Sequence, residues 1–235
     1  MSIVAEAELV DELTPFGIRA FTTSRQSGSF GLSGAEPVRD VMSRWFHLRE
    51  ELGDDGRRLA TASQVHGNTV VVHGADWDGW LRVDHADGHA TTHRGVALAV
   101  TVADCVPVFL AHPSGAVAVL HSGWRGTVAR IVEQGIAALV HRGLHASELR
   151  VHLGPAICGR CYEVSPSVFG QLTGRSVDEA TTVDLRAIIA DHALASGVRH
   201  ITTSARCTRC DNDRFFSHRA GDAGRQLGVI VAGTA

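Results

Sequence analysis

Apolar and polar positions alternate along this chain in two distinct rhythms. Helical spacing marks Val38 to Leu52, where Val38, Val41, Met42, Trp45 and Leu48 share a stripe, with Met42 expected in the core. It recurs from Thr127, with Val128, Ile131, Val132, Gly135, Ile136, Leu139 and Val140 on one face and Gly143 as the stop. Ser165-Pro166 predicts the cap and first turn of a short helix through Leu172, and Asp184 caps another that runs from Leu185 to Gly197. Strand patterns cover 17–23, 58–64, 68–73, 96–102, 116–120, 148–153, 198–204 and 227–232.

The connecting stretches read differently. SRQSGSFGLSGAEP, residues 24–37, predicts a surface loop suited to act as a lid. Residues 77–94 hold too many Asp and Gly for a regular element. His85, His89 and His93 recur every four residues there, but Gly88 and the flanking threonines favour a solvated loop over a metal-binding helix face. No repeat and no linker interrupts the pattern, so 1–235 is read as one domain.

The chemistry gathers where apolar runs end. Val96–Val102 leads into Ala103-Asp104-Cys105, Ala116–Leu120 ends in His121-Ser122, and Gln64-Val65-His66-Gly67 supplies a second imidazole. A candidate site of His66, Cys105 and His121 follows. Two imidazoles and a thiolate make a zinc set with the fourth tetrahedral position open. The same residues also read as a metal-free Cys/His nucleophilic pair, or as core side chains. Trp124 and Arg125, in GWRG, are expected at a helix N-terminus and offer an anion seat beside His121.

Composition narrows the choices. All 22 basic residues are arginine, which removes lysine-dependent phosphate loops and imine chemistry. Any anion must then meet arginine or backbone N–H groups. A net charge of −3, with no basic run, argues against nucleic acid as a partner. With no apolar window long enough for a membrane span and no leader pattern, a cytoplasmic protein is expected. The pattern does not speak to oligomeric state.

Copper oxidase chemistry is disfavoured. A blue copper site joins His, His and Cys to a weak axial ligand, often Met, and only Met1 and Met42 are present. None of the 14 histidines forms the His-X-His pair of a trinuclear cluster. Of five cysteines, Cys158/Cys161 and Cys207/Cys210 form CxxC pairs. These have the form of a structural zinc site, a redox pair or ordinary loop cysteines, and residues 162–206, with their two predicted helices, lie between the pairs.

QVHG, TVADCVPVFLAHP, AVAVLHSGWRGT, GPAICGRCYEV and CTRCDNDRFFSHRAGDAGRQ together resemble the bacterial multicopper polyphenol oxidase, or laccase-domain, family. Its members are known as broad-specificity purine nucleoside phosphorylases with adenosine deaminase activity. The resemblance implies an α/β fold of layered mixed β-sheets flanked by helices, not a cupredoxin barrel. It implies zinc on His66, Cys105 and His121, with copper the lesser alternative and no redox cofactor. Expected substrates are phosphate and adenosine, inosine, guanosine or methylthioadenosine. Arg125, Arg25 and Arg219 are the candidate substrate contacts, and Asp104 or Asp87 would orient a ligand imidazole. The chain departs from the family in FTTSRQSGSFGLSG, where Arg25 is displaced by one position, and in His218-Arg219, which replaces paired arginines. A Cys/His or zinc-water amide hydrolase acting on cell-wall precursors is the rival reading, and a non-enzymatic metal-binding protein a third.

Overall fold

The computed structural model describes residues 2–232 except 33 and 35. In chain order the first strands are β1 (Glu8–Leu9), β2 (Ile18–Thr22), β3 (Arg58–Ser63), β4 (Val70–His73) and β5 (Gly79–Asp84). Next come β6 (Gly88–Thr91), β7 (Val96–Val102), β8 (Val106–Ala111), β9 (Val117–Ser122) and β10 (Arg150–Leu153). The last are β11 (Glu163–Val164), β12 (Thr181–Thr182), β13 (His200–Thr203) and β14 (Gln226–Ala232). The helices are α1 (Val38–Leu52), α2 (Trp124–Val128), α3 (Ile131–Val140), α4 (Pro166–Thr173) and α5 (Leu185–Ala195).

Two six-stranded mixed sheets, ordered β1-β2-β14-β7-β3-β5 and β13-β10-β8-β9-β6-β4, lie face to face. Strand alternation decides which residues meet. On β7, Val96, Leu98 and Val100 point between the sheets toward Phe109 of β8 and Val117 and Val119 of β9. The opposite residues Ala97 and Ala99 meet Val41, Trp45 and Leu48 of α1. On the other sheet, Val106, Val108 and Leu110 face Ile131, Ile136 and Ile189 of α3 and α5. The layers are therefore helix, sheet, sheet, helix, the layered α/β arrangement expected.

Helix α1 has the predicted bounds, but its buried stripe is Val41, Trp45, Leu48 and Leu52, with Val38 58% exposed and Met42 only half-buried. Trp45 stacks on Trp80, meets Phe30 edge-on and donates its indole N–H to the Phe30 carbonyl. Its truncation to Ala would cost about 3–5 kcal/mol. Phe30 is itself fully buried, so the segment read as a surface lid is anchored to the core, and its residues 33 and 35 lie outside the described residues.

The helix expected to run on from Thr127 is broken. Arg130 adopts φ 61°, and Asn68 Nδ2 donates to the Ala129 carbonyl at 2.7 Å, diverting an acceptor the helix would use. Trp124 and Arg125 thus open a five-residue helix, too short to supply the dipole expected of an anion seat. Gly135 of α3 lets the helix close on β9, since a Cβ there would lie 2.8 Å from Leu120 Cδ1.

Residues 77–94 correct the loop expectation, because they form β5 and β6. Their polar look reflects an edge strand in β5, while β6 is wholly buried. His89, fully buried on β6, meets His73 ring to ring with nitrogens 2.9 Å apart. His85, His89 and His93 do not share a helix face.

Candidate active site

The chain crosses from the first sheet to the second at 64–69, 85–87 and 103–105, between β3 and β4, β5 and β6, and β7 and β8. Those crossings carry His66, Asp87 and Cys105. Each also contains a non-glycine residue in the left-handed region: His66 at φ 61°, His85 at 53° and Asp104 at 77°. Such conformations persist only where the surroundings enforce them, and they concentrate at functional sites.

His121 completes the group from the end of β9, on the side of the strand that faces between the sheets with Val117 and Val119. The ligand atoms of His66, Cys105 and His121 all lie within 4.8 Å of one another. The two imidazole rings are 4.8 Å apart at an interplanar angle of 76°. Gly123 makes this approach possible, because a Cβ there would sit 2.8 Å from Cys105 Sγ and 3.3 Å from His66 Cδ2.

Asp87, fully buried, organises the cluster. One carboxylate oxygen accepts from the N–H groups of Val65 (3.1 Å) and Gly67 (2.7 Å). The other accepts from His66 N–H (2.9 Å) and His121 Nδ1 (2.8 Å). Burial would raise this carboxyl, but His121 and the backbone donors of the QVHG turn hold it below the usual carboxylate range. With Nδ1 committed to Asp87, Nε2 is the His121 nitrogen left for a ligand. Gln64 fixes the start of the same turn by accepting from Thr101 N–H and donating to its carbonyl, both at 2.8 Å.

Burial pushes the Cys105 thiol up, yet the charge and hydrogen bond of His121, joined by His66, bring it down to about 6. Burial likewise lowers His121, but the facing Cys105 and Asp87 raise it to about 9. Without metal, each of the two groups therefore favours the charged form of the other. A tetrahedral zinc with nitrogen and sulfur donors sets its ligands about 3.3–3.8 Å apart, so three donors of the right type gathered within 4.8 Å fit such an ion.

Two cavities meet at this cluster and share His66, Ala103, Cys105 and His218. The larger, about 540 Å³, extends past Phe30, Gln64, Arg82, Thr101 and Arg225. The smaller, about 280 Å³, is walled by Trp124, Arg125, Tyr162 and Arg219. Arg125 stacks over Trp124 at 4.4 Å, and Arg219 over Tyr162 at 5.2 Å while donating to the Glu163 carbonyl. Burial first, then the Cys105 charge, pushes the Tyr162 phenol up to about 12, so it stays protonated.

Other expected residues stand elsewhere or act differently. Asp104 does not orient an imidazole: its carboxylate accepts from Thr208 Oγ1 (2.6 Å) and Arg219 N–H (2.7 Å), pinning a loop to the crossing turn. Arg25 bonds Asp222 at 2.6 Å and the carbonyls of Asn212 and Phe215, and it lines neither cavity. Its displaced position makes it a brace for the 212–222 loop. Tyr162 was not among the candidates, and His218 was noted only as a departure from the family pattern; both stand on the cavity walls. The SHRAGD stretch beside the last CxxC pair was the available signal.

Fold and site together define a layered α/β protein with a Cys/His donor set where two sheets exchange strands. Residues 20–233 match the family described as multi-copper polyphenol oxidoreductase laccase, and the chain belongs to that family. It is 35% identical to the purine nucleoside phosphorylase ORF3 of Streptomyces griseus over 208 residues, covering 85% of this chain and 84% of the relative. It is 31% identical to the adenosine deaminase RL5 of an unknown prokaryotic organism over 232 residues, covering 86% of this chain and 88% of that one. The crystal structure of YlmD from Geobacillus stearothermophilus shares the fold with a TM-score of 0.87 and 30% identity over 94% of each chain.

Proposed function

We propose that this nucleoside-processing enzyme is a zinc-dependent purine nucleoside phosphorylase that also deaminates adenosine. One observation carries the reading: of the His66, Cys105 and His121 cluster, His66 and Cys105 line the wall shared by two cavities while His121 faces the larger, and the smaller presents Arg125 and Arg219. The reaction class comes from relatives named purine nucleoside phosphorylase and adenosine deaminase. Adenosine, inosine, guanosine and methylthioadenosine are the substrates of this reading, with phosphate as co-substrate.

His66, Cys105 and His121 would hold the zinc ion, which would supply Lewis acidity at the junction of the cavities. Met42 lines a surface groove with Arg39 and Phe46, so it offers no axial ligand for a copper site at Cys105. Asp87 keeps the His121 ring in one orientation and one tautomer. Arg125 and Arg219, forked and always charged, hold phosphate in the smaller cavity, and the nucleoside enters from the larger. In phosphorolysis a phosphate oxygen bonds to ribose C1′ as the C1′–N9 bond breaks. The purine departs with that electron pair and takes up a proton, leaving ribose 1-phosphate. His218, on both cavity walls, is an imidazole available to carry the proton. In deamination water adds at C6 of adenosine and ammonia leaves, giving inosine.

The arginines separate the two activities. Arg125→Ala and Arg219→Ala each remove a charged hydrogen-bond donor, so each should raise the KM for phosphate about 10- to 100-fold. Deamination, which uses no phosphate, should change little. An unchanged phosphate KM in both variants would contradict the assignment.

The lowered Cys105 thiol beside His121 favours one second reading, a nucleophilic amide hydrolase acting on serine-containing cell-wall precursors. Zinc that shields Cys105 from alkylation supports the ligand role, whereas a trapped acyl-enzyme supports the nucleophile.

A further inference from the structure

The four cysteines that the active site does not use converge. Cys158 and Cys161 lie just beyond β10, and Cys207 and Cys210 just beyond β13, the parallel neighbour of β10. An isolated bridge between Ala156 and Cys207 continues that pairing past the strand ends and brings the CxxC turns side by side. All four sulfurs lie within 4.8 Å of one another, and Cys161 Sγ is 3.5 Å from Cys210 Sγ. A tetrahedral zinc with Zn–S bonds of about 2.3 Å has sulfur–sulfur edges of about 3.8 Å.

A second observation points the same way. Cys207 Sγ accepts backbone N–H groups from Cys158 at 3.3 Å and from Cys210 at 3.4 Å. These two bonds hold the Cys207 sulfur between both CxxC turns, where it faces the other three sulfurs. Arg160 and Arg209 each precede the second cysteine of a pair, placing positive charge beside the doubly negative zinc tetrathiolate that results. Arg209 also reaches across to the Cys161 carbonyl at 3.2 Å.

We propose that Cys158, Cys161, Cys207 and Cys210 hold a second, structural zinc ion, which clamps together the two segments that wall the smaller cavity. Binding releases the four thiol protons to solvent and changes no oxidation state. The clamp's neighbours explain its placement. Tyr162 follows Cys161 and forms the cavity wall. Thr208 follows Cys207, donates its hydroxyl to Asp104 and its N–H to the Ala156 carbonyl. Ile157 N–H meets the Asp104 carbonyl at 3.1 Å. A clamp here fixes the turn that carries Cys105 without touching substrate.

The test is metal analysis and zinc X-ray absorption on the full chain purified under reducing conditions, beside Cys105→Ala and Cys161→Ser/Cys210→Ser. Wild type should carry two zinc ions per chain. Cys105→Ala should keep one with an all-sulfur coordination shell, and the double variant should keep one with mixed nitrogen and sulfur donors and a lower Tm. Cys105→Ala leaves the clamp intact, so its zinc reports on the clamp even where the double variant fails to fold. Cys105→Ala without zinc, or with a mass deficit showing disulfides between these cysteines, would overturn the proposal. If wild type and Cys105→Ala each carry the same single all-sulfur zinc, the clamp stands and the active-site zinc falls.

Discussion

Asp87→Asn should damage the centre without altering a single ligand. The carboxylate now accepts four hydrogen bonds, two on each oxygen: Val65 and Gly67 on one, His66 and His121 on the other. An amide of the same shape keeps one acceptor and turns the other into an N–H₂ donor. With the oxygen toward His121, the N–H groups of Val65 and Gly67 face a donor and lose their partner. With the amine toward His121, Nδ1 must accept, so the proton moves to Nε2 and blocks the ligand atom. Losing the partner of a buried imidazole ligand lowers metal affinity about 10- to 100-fold, or about 1.4–2.7 kcal/mol at 1.36 kcal/mol per decade. Two unpaired N–H groups in a part-buried turn cost about 1 kcal/mol each, and a chain of this size loses about 2–4 °C of Tm per kcal/mol. Zinc competition against a chromophoric chelator and thermal unfolding of the metal-free protein read the two effects separately. Unchanged zinc affinity together with an unchanged Tm would refute the role given to Asp87.

Gly123→Ala should abolish turnover while leaving the far-UV spectrum native, because the added methyl would sit 2.8 Å from Cys105 Sγ; full activity would show that the close approach is not needed. Burial, then the neighbouring His73, depresses the His89 pKa to about 3. The unfolded chain therefore binds the extra proton between its own pKa of about 6.5 and that value, and stability falls as pH drops through that window. The loss approaches about 1.4 kcal/mol per pH unit for one proton, so urea melts at pH 7 and pH 5 should differ less in His89→Gln than in wild type. Burial opposes but Arg25 and the Ser217 N–H outweigh it in lowering Asp222 to about 2. Its contribution is complete above the ordinary carboxylate pKa and is lost as pH falls toward about 2, so Asp222→Asn should flatten the acid limb of unfolding below pH 4.

What could be read in advance depended on how local the signal was. Helix α1 and the caps at Ser165 and Asp184 follow from short-range spacing, and Ser165 and Asp184 do accept the backbone N–H groups of their first turns. His66, Cys105 and His121 were legible because each ends an apolar run, and a chemical side chain at a strand exit is conspicuous. The layering was not legible from periodicity, since β7 and β8 lie in different sheets while Asp104 and Cys105 between them read as a simple strand end. Strand β6 hid behind its own polarity, because His89 and Thr91 are buried by pairing with His73 rather than by being apolar. The break at Arg130 is braced by Asn68, far away in sequence, whose amide takes the Ala129 carbonyl, and no helix pattern contains that information. Arg25 and Asp104 were assigned from motif position, and their partners come from the loop that returns with residues 208–222. The convergence of the CxxC pairs likewise depends on β10 and β13 pairing in parallel, which the intervening helices conceal.

The measurement that bears most directly on the account is product analysis of adenosine incubated with the zinc-loaded protein, with and without phosphate, beside Cys105→Ala. The account predicts adenine and ribose 1-phosphate only when phosphate is present, inosine in either case, and neither product from Cys105→Ala with its fold retained. Adenosine left intact by the wild-type protein, or equal turnover by Cys105→Ala, would contradict it.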